Sequence, residues 1–560
     1  MKKLSLAVMI LCCAMMSNAQ FTENWNVRYQ ATGTQNFSNE GRKIAVDAMG
    51  NTFVLGDFSS DRDTTGTLLP SGTQYTVRLQ KYDYMGTLVY WRSYIVNGLL
   101  AQPGGENVAS FGLELDASNN VYIGFNTVNA LGNRDVVFKK FNNSLSSEVW
   151  SRTYATPANE YGTMMKVATN GQITGLIKTV AGANTTYSLV RATNFSMTVL
   201  NFYSFTANTE VINSIAITAR QIYATGYSLS GGVKSLLVAA ISSGGSTIWK
   251  QYFNNGTPSS GNDLGNDIMV GVNGRLYIAG TTYTNATNGN DAVALSYLTN
   301  GTLSNLQIVN QGTTDNGWRI VNGPAAYVYL VSTTTSSLTV HKLFASNLLV
   351  NSKATYVPVP NSNYTGITDM SVADVRVSSG GNAYVAGTVT CSSVAGTFGA
   401  SFLSKFGLNG VVFKNIANMK VLGSFTDSYK TAAIAINPLR TDVVLLKNVA
   451  NTYTSHAVEK MCVNSQDASI PFRMADDNQE GEQTNLILSP NPAINNVTIS
   501  CNQPVSSVAL YDLLGKQALI QTGDGQNSIN LELSNLNNGI YICKVIFKDG
   551  SSESRRLVVH

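Results

Sequence analysis

The sequence predicts an all-β chain: a large body made of a repeated four-strand unit, followed by a smaller strand-rich tail. Three observations predict it. Charged residues make up only 12% of the 560, while Gly (48) and Tyr (26) are abundant, a balance that suits short strands and tight turns better than helices. An apolar strand leading through a Gly or Asn turn into a second strand recurs along most of the chain. Beyond the N-terminus, no run approaches the ~20 apolar residues that a membrane-spanning helix needs.

The N-terminus comes first. Met1-Lys2-Lys3 is a short basic start, Leu4 to Met16 is an apolar run, and Ser17-Asn18-Ala19 places small residues before Gln20. This is the pattern of a secretory signal over residues 1–19, cut between Ala19 and Gln20. Cys12 and Cys13 lack the small preceding residue that lipid modification requires. The formal charge of +4 falls to +2 once Lys2 and Lys3 leave with the signal. Such near-neutrality gives no footprint for nucleic acid, which is bound by clustered Lys and Arg.

The repeat follows. It reads Ile44-Ala45-Val46-Asp47 then Gly50-Asn51-Thr52-Phe53-Val54-Leu55-Gly56; Leu113 to Asp116 then Asn119 to Ile123; Ile215 to Ile217 then Gln221 to Gly226; Ile268 to Val270 then Asn273 to Gly280; and Val375 to Val377 then Gly381 to Gly387. Weaker copies lie at Val167 to Gly175, Ile320 to Val331 and Ala433 to Leu446. With Phe53, Tyr122, Ile173, Tyr223, Tyr277, Tyr329, Tyr384 and Val444 as equivalent positions, the successive separations are 69, 51, 50, 54, 52, 55 and 60. Third and fourth strands recur as well, as in Val77 to Tyr82 leading to Val89-Tyr90-Trp91 and Leu236 to Ile241 leading to Thr247-Ile248-Trp249. The fourth-strand aromatic is expected to pack between neighbouring units. Four short strands at a period near fifty are the signature of a β-propeller, whose sheets bury both faces against their neighbours. The expected body, residues 20–464, is eight-bladed, or seven-bladed if one weak copy is an insertion.

Closure follows from the ends of the repeat. Asn24-Trp25-Asn26-Val27-Arg28-Tyr29 parallels the fourth strand Val149 to Tyr154, yet no unit precedes it, and the eighth unit stops after its third strand near Ala457 to Val463. Trp25 and Tyr29 are therefore expected on a strand that completes the last blade and covers an edge otherwise open to aggregation. Residues 465–485 carry Asp467, Asp476, Asp477, Glu480 and Glu482 without apolar periodicity, and read as a solvated linker.

The tail over residues 486–560 carries a set of motifs in order. They are Leu488-Ser489-Pro490-Asn491-Pro492, the alternating stretch Val497 to Cys501, Leu510-Tyr511-Asp512-Leu513-Leu514-Gly515-Lys516, Asn538-Gly539-Ile540-Tyr541, and the closing Arg556 to Val559. These residues resemble the C-terminal sorting domain of type IX secretion. The resemblance implies a small β-sandwich read by outer-membrane export machinery, and a chain secreted or held on the outer surface. The repeat units in turn resemble the propeller repeats of exported bacterial proteins, whose Asp-x-x-Gly-Asn-x-Tyr-Val-x-Gly pattern is nearly whole at Asp47 to Gly56, with Phe53 in the aromatic place.

Chemistry is sparsely supplied. The only histidines are His341, His456 and the terminal His560, too few for a His-rich metal site and poorly placed for a His-centred triad. No HExxH, CxxC, Walker or GxSxG arrangement is present. Asp61-Arg62-Asp63-Thr64-Thr65-Gly66 begins like a calcium loop but lacks the later oxygens and the bidentate Glu; Asp63-Thr64-Thr65 also resembles an O-glycosylation acceptor. Export through an oxidising compartment permits disulfides, pairing Cys501 with Cys543 and Cys391 with Cys462, with buried free thiols as the alternative. No cofactor, metal or catalytic residue is implied.

The expected function is a non-catalytic monomer, shown outward, that binds a glycan or protein partner, with aromatics and Asn in loops such as Tyr283 to Asn290 as contacts. Two alternatives stand beside it. One is a propeller enzyme. Ser242 to Trp249 resembles the repeat of quinoprotein dehydrogenases, but the adjacent Cys pair of that family is missing from the mature chain, and a glycan-active enzyme would need carboxylates converging at the ring centre, whereas acidic residues here read as turn-placed. The other is a structural component of a surface layer or adhesin.

Overall fold

The computed structural model describes residues 19–29, 39–60, 74–96, 109–182, 184–206, 209–255, 262–285, 289–311, 314–324, 326–358, 366–378, 380–393, 396–409, 412–418, 428–437, 443–450, 454–463, 486–491, 493–501, 503–512, 517–548 and 552–559. Residues 1–18, where a signal is expected, Asp61 to Gly66, residues 465–485, where a linker is expected, Pro492, Gly515 and His560 lie outside the described residues. Every regular element among the described residues is a β-strand, and no helix is long and apolar enough to cross a membrane. The chain divides into two compact units, Met1–Ser469 and Ile470–His560.

The first unit is a propeller-like succession of four-stranded antiparallel sheets. Six are separate, spanning 39–95, 110–154, 159–206, 210–253, 264–309 and 316–356, and are numbered here sheets 1 to 6. A further eight-stranded sheet consists of two four-stranded halves. Sheet 7 is the half spanning 366–418. Sheet 8 is formed by the strands Ser428–Ile436, Val443–Ala450 and Thr454–Val463 together with the N-terminal strand Ala19–Tyr29. That N-terminal strand runs antiparallel to Thr454–Val463, with Trp25 opposite Lys460 and Tyr29 opposite His456. The strand ladders of the two halves are joined where Ala19 and Gln20 pair in parallel with Ala417 and Asn418.

The turns explain themselves. Asp47 Oδ1 accepts the backbone N–H groups of Met49 and Asn51, both at 2.9 Å, and Asp116 Oδ1 does the same for Ser118 and Asn120. Gly50 at φ 86° and Asn119 at φ 59° fill the left-handed position of these turns, the residue types that tolerate it. The second strands then carry the repeat aromatic into the interior: Phe53, Tyr122, Tyr223, Tyr277, Tyr329 and Tyr384 are fully buried. Burying a side chain of that class stabilises by about 1.5–3 kcal/mol.

The first strands share one irregularity. In all eight sheets the register with the second strand slips by one residue, at Gly41/Lys43, Ser110/Gly112, Gly162/Met164, Ile212/Ser214, Gly265/Asp267, Gly317/Arg319, Val372/Asp374 and Thr431/Ala433. A bulge frees a backbone N–H from the ladder, and a buried free N–H is unfavourable. In four cases the preceding sheet's second strand supplies the acceptor: Asn448 Oδ1 to Gly41 N, Asp57 Oδ1 to Ser110 N and Asn126 Oδ1 to Gly162 N at 2.8 Å, and Thr388 Oγ1 to Thr431 N at 3.0 Å. First strands neighbour one another in a closed cycle, sheet 1 beside sheet 2 and onward until sheet 8 lies beside sheet 1.

The second unit places strands Ile487–Ser489, Asn496–Ser500 and Ser528–Glu532 in one sheet, and Gln517–Thr522, Val505–Tyr511, Gly539–Phe547 and Ser552–Val559 in another. Alternate residues such as Val497, Ile499, Leu531, Tyr541, Cys543 and Leu557 form its apolar core.

Candidate functional site

The first strands around the central space carry a set of charged residues. The bulge residues and those two positions later place Lys43 (sheet 1), Glu114 (sheet 2), Lys166 (sheet 3), Asp267 (sheet 5), Arg319 (sheet 6), and Asp374 with Arg376 (sheet 7) on these inner strands. Three acidic groups thus sit on strands at the centre, contrary to the expectation that acidic residues are turn-placed. The reason is the bulge: it shifts the alternation by one and turns residues toward the axis that a regular strand would carry sideways.

These groups act on one another across the space, not only between adjacent sheets. Burial lowers the Lys43 pKa; Asp374 opposes that, while Lys166, Arg319 and Arg376 add to it. Burial raises the Asp267 pKa against the pull of Arg319, the Ile320 N–H, the Ser214 hydroxyl and Lys166. Arg376 is held charged first by Asp374, with Glu114 and Asp267 contributing. Direct pairs are Lys166 Nζ to Glu114 Oε1 at 3.5 Å and Arg376 Nη2 to Asp374 Oδ2 at 3.1 Å. The Arg376 side chain is nonetheless 50% exposed and that of Lys166 43%, so the space is open to solvent. Asp267 is fastened to both neighbouring sheets, accepting from Ser214 Oγ at 3.0 Å and from Ile320 N at 3.1 Å.

A second polar cluster lies buried between sheets 5 and 6. Ser332 Oγ and His341 Nε2 are 2.9 Å apart, the spacing of a nucleophile and its base. Both are fully buried, and burial lowers the His341 pKa to about 3. A ring that resists protonation, with no surface open to substrate, is a packed core histidine. Gln311 joins the cluster to Asp315, its N–H donating to Oδ2 at 2.7 Å.

The cysteines resolve as thiols: Cys391, Cys501 and Cys543 are free, and no disulfide joins Cys501 to Cys543. Cys501 Sγ instead donates to the Gln503 and Asn527 carbonyls. Among the described residues no group of three metal-ligating side chains converges. Fourth-strand aromatics divide. Trp150 is buried and Trp249 stacks on Tyr297, whereas Trp91 is 42% exposed beneath the Arg78 guanidinium. Tyr283 is not in a loop but on strand Leu276–Asn285, opposite Asn290.

In the tail, Leu510 is buried in the core and Leu488 packs against it. Asn491 Oδ1 accepts the Val558 N–H at 2.9 Å, and the Tyr541 hydroxyl donates to the Asn537 carbonyl at 2.8 Å. Tyr511 ends a strand, Asp512 follows it, Gly539 begins another, and Pro490 follows the first. Residues 488–560 match the family described as the secretion system C-terminal sorting domain.

This segment is a type IX secretion sorting domain. It implies interaction with that secretion machinery, export, and a cell-surface or secreted location. No curated relative matches the chain in sequence. Solved structures similar to it include the Dos1 propeller, at 8% identity and a TM-score of 0.36 over 79% of this chain and 96% of that one. Another is the β-propeller domain of the trilobed protease from Pyrococcus furiosus, at 10% identity and 0.33 over 65% and 99%. A Dyadobacter fermentans protein of unknown function aligns at 10% identity and 0.33 over 79% and 99%.

Proposed function

We propose that the chain is an exported, non-catalytic, eight-bladed β-propeller that binds an extracellular glycan or protein through its central space, delivered by a C-terminal β-sandwich. The sorting-domain match over residues 488–560 carries the export part of this reading. The closed cycle of eight first strands supports the blade count, and the pairing of Ala19–Tyr29 with Thr454–Val463 supports closure by the N-terminal strand. The division at Ser469/Ile470 accords with a propeller over 20–464, a linker over 465–485 and a sorting domain over 486–560, behind a signal of residues 1–19. The non-catalytic part rests on the central carboxylates, each engaged with a cation or hydrogen-bond donor and so poorly placed as a general acid.

The test has two arms. Deleting 488–560 should leave the body in the periplasm by fractionation, and surface display of the truncated chain would refute the export reading. The purified full chain should retain a ligand from a glycan array or an envelope-protein capture while leaving chromogenic glycosides and redox dyes unchanged. Turnover lost in Glu114→Gln or Asp374→Asn would overturn the non-catalytic assignment.

A further inference from the structure

The carboxylates of the central space are engaged, and one cation is not. Glu114 faces Lys166, Asp374 faces Arg376, and Asp267 accepts from Ser214 and the Ile320 N–H. The Lys43 side chain is surrounded by protein yet keeps access to solvent, and it makes no side-chain hydrogen bond or ion pair among the described residues. Its charged surroundings are one anion, Asp374, against Lys166, Arg319 and Arg376. Among these seven residues, the cations Lys43, Lys166, Arg319 and Arg376 outnumber the anions Glu114, Asp267 and Asp374 by one. The positions equivalent to Lys43 in sheets 2, 4 and 8 are the uncharged Gly112, Ser214 and Ala433, so none of them offers the ammonium an anion.

We propose that this space is an anion site in which Lys43, backed by Arg319 and Arg376, receives the carboxylate or sulfate of an acidic saccharide. The inference rests on the binding function proposed above and names its ligand class. An unpaired ammonium ringed by like charges is relieved by an incoming anion, and walls of low dielectric concentrate the attraction. Guanidinium groups match the planar oxygens of such anions, and Lys supplies a point charge. Exposed charged side chains such as Arg376 and Lys166 suit a hydroxyl-rich acidic chain better than the apolar side chains of a peptide.

The experiment is titration calorimetry on the full-length mature protein. The probes are oligogalacturonate for the carboxylate, a sulfated galactan oligomer for the sulfate, an uncharged cello-oligosaccharide, and a polyglutamate peptide. At least one acidic saccharide should bind, weaken with added salt, and lose tenfold or more in affinity in Lys43→Gln. Lys43→Arg should retain binding, and Lys234→Gln, whose side chain lies over the Tyr227 ring, should match the parent. Equal thermal midpoints for Lys43→Gln and the parent separate loss of the site from loss of the fold, and bound saccharide should protect Lys43 from amine acylation. Acidic saccharides binding no better than the uncharged one, or Lys43→Gln within twofold of the parent, overturns the proposal. Tighter binding of polyglutamate overturns the saccharide assignment. A neutral glycan held equally by parent and Lys43→Gln overturns this inference while leaving the binding function standing; retention of no ligand at all removes both.

Discussion

Asn448 and Gly41, 407 residues apart, exchange two hydrogen bonds: the Gly41 N–H donates to Asn448 Oδ1 at 2.8 Å, and Asn448 Nδ2 donates to the Gly41 carbonyl at 3.1 Å. This joins sheet 8 to sheet 1 independently of the N-terminal strand. The contact is seconded by an apolar seam of Ile44, Val54 and Tyr82 against Ala433, Val444, Leu446 and Val458.

Asn448→Ala removes both bonds and strands the bulge amide of Gly41. A lost hydrogen bond that leaves a partly buried partner unsatisfied costs about 1–3 kcal/mol. The substitution should lower stability by about 2 kcal/mol in denaturant titration of the full chain. A change within ~0.5 kcal/mol, the range of an ordinary surface substitution, would mean that this seam does not hold the two sheets together.

The repeat glycine three residues after the aromatic has a mechanical cause, which gives a second prediction. At Gly226 an added Cβ would lie 1.8 Å from the Val211 carbonyl oxygen, and at Gly387 it would lie 2.0 Å from that of Ser371. Both oxygens belong to the first strand just ahead of its bulge, so the bulge drives the carbonyl into the space a side chain would take. Gly226→Ala should destabilise by 3 kcal/mol or so, at the upper end of overpacking effects. Gly244→Ala, whose nearest neighbour is Ser242 Oγ at 3.8 Å, should sit within about 0.5 kcal/mol of the parent. Equal midpoints for the two variants would remove the bulge as the reason for the motif.

The same bulge separates what is legible in the sequence from what is not. Phe53, Tyr223 and Gly226 recur because each repeat places them against the same backbone, so packing writes the same letters into the chain. At the bulge position the eight sheets carry Lys43, Gly112, Met164, Ser214, Asp267, Arg319, Asp374 and Ala433. Only Asp appears twice there, since what meets this position differs from sheet to sheet: Lys43 is exposed, whereas Ser214 and Ala433 are buried. Convergence of Lys43 with Asp374 joins chain positions in sheets 1 and 7, and spacing within one unit carries no trace of it. Asp47 and Asp116 were legible as turn residues through the Gly50 or Asn119 that follows; Glu114, two residues ahead of Asp116, is indistinguishable from a turn acid by composition. The tail was readable because its motifs answer to a partner outside the chain and so hold their order.

Buried carboxylates set a pH dependence. Burial pushes the Asp315 pKa from 3.8 up to about 6, with neighbouring Asp291 adding and Gln311 opposing; burial also raises Asp263 and Asp291. Between 3.8 and about 6, folded Asp315 holds a proton that the unfolded chain has released, so stability falls as pH rises through that window and levels off above it. Denaturation midpoints should therefore decline across this interval, and Asp315→Asn should flatten part of the decline. An unchanged slope in that variant would assign the dependence to other groups.

The N-terminal strand gives the last prediction. Residues Phe21 to Tyr29 pair with Thr454–Val463, which otherwise pairs only on its other side, with Val443–Ala450. Without residues 20–29 the outer edge of Thr454–Val463 presents a row of free N–H and C=O groups, the template by which sheets associate. The seam between Gly41 and Asn448 remains in that truncation, so the body should stay folded yet self-associate, its light-scattering mass rising with concentration. A synthetic peptide of residues 20–29 supplied in excess should occupy the edge and return the protein to monomer, as strand addition does elsewhere. A truncated chain that stays monomeric with an unshifted unfolding midpoint would show that the strand contributes nothing to closure. The expected cleavage between Ala19 and Gln20 would leave this pairing whole, because of the pairs this strand makes only Ala19 to Ala417 lies before the cut.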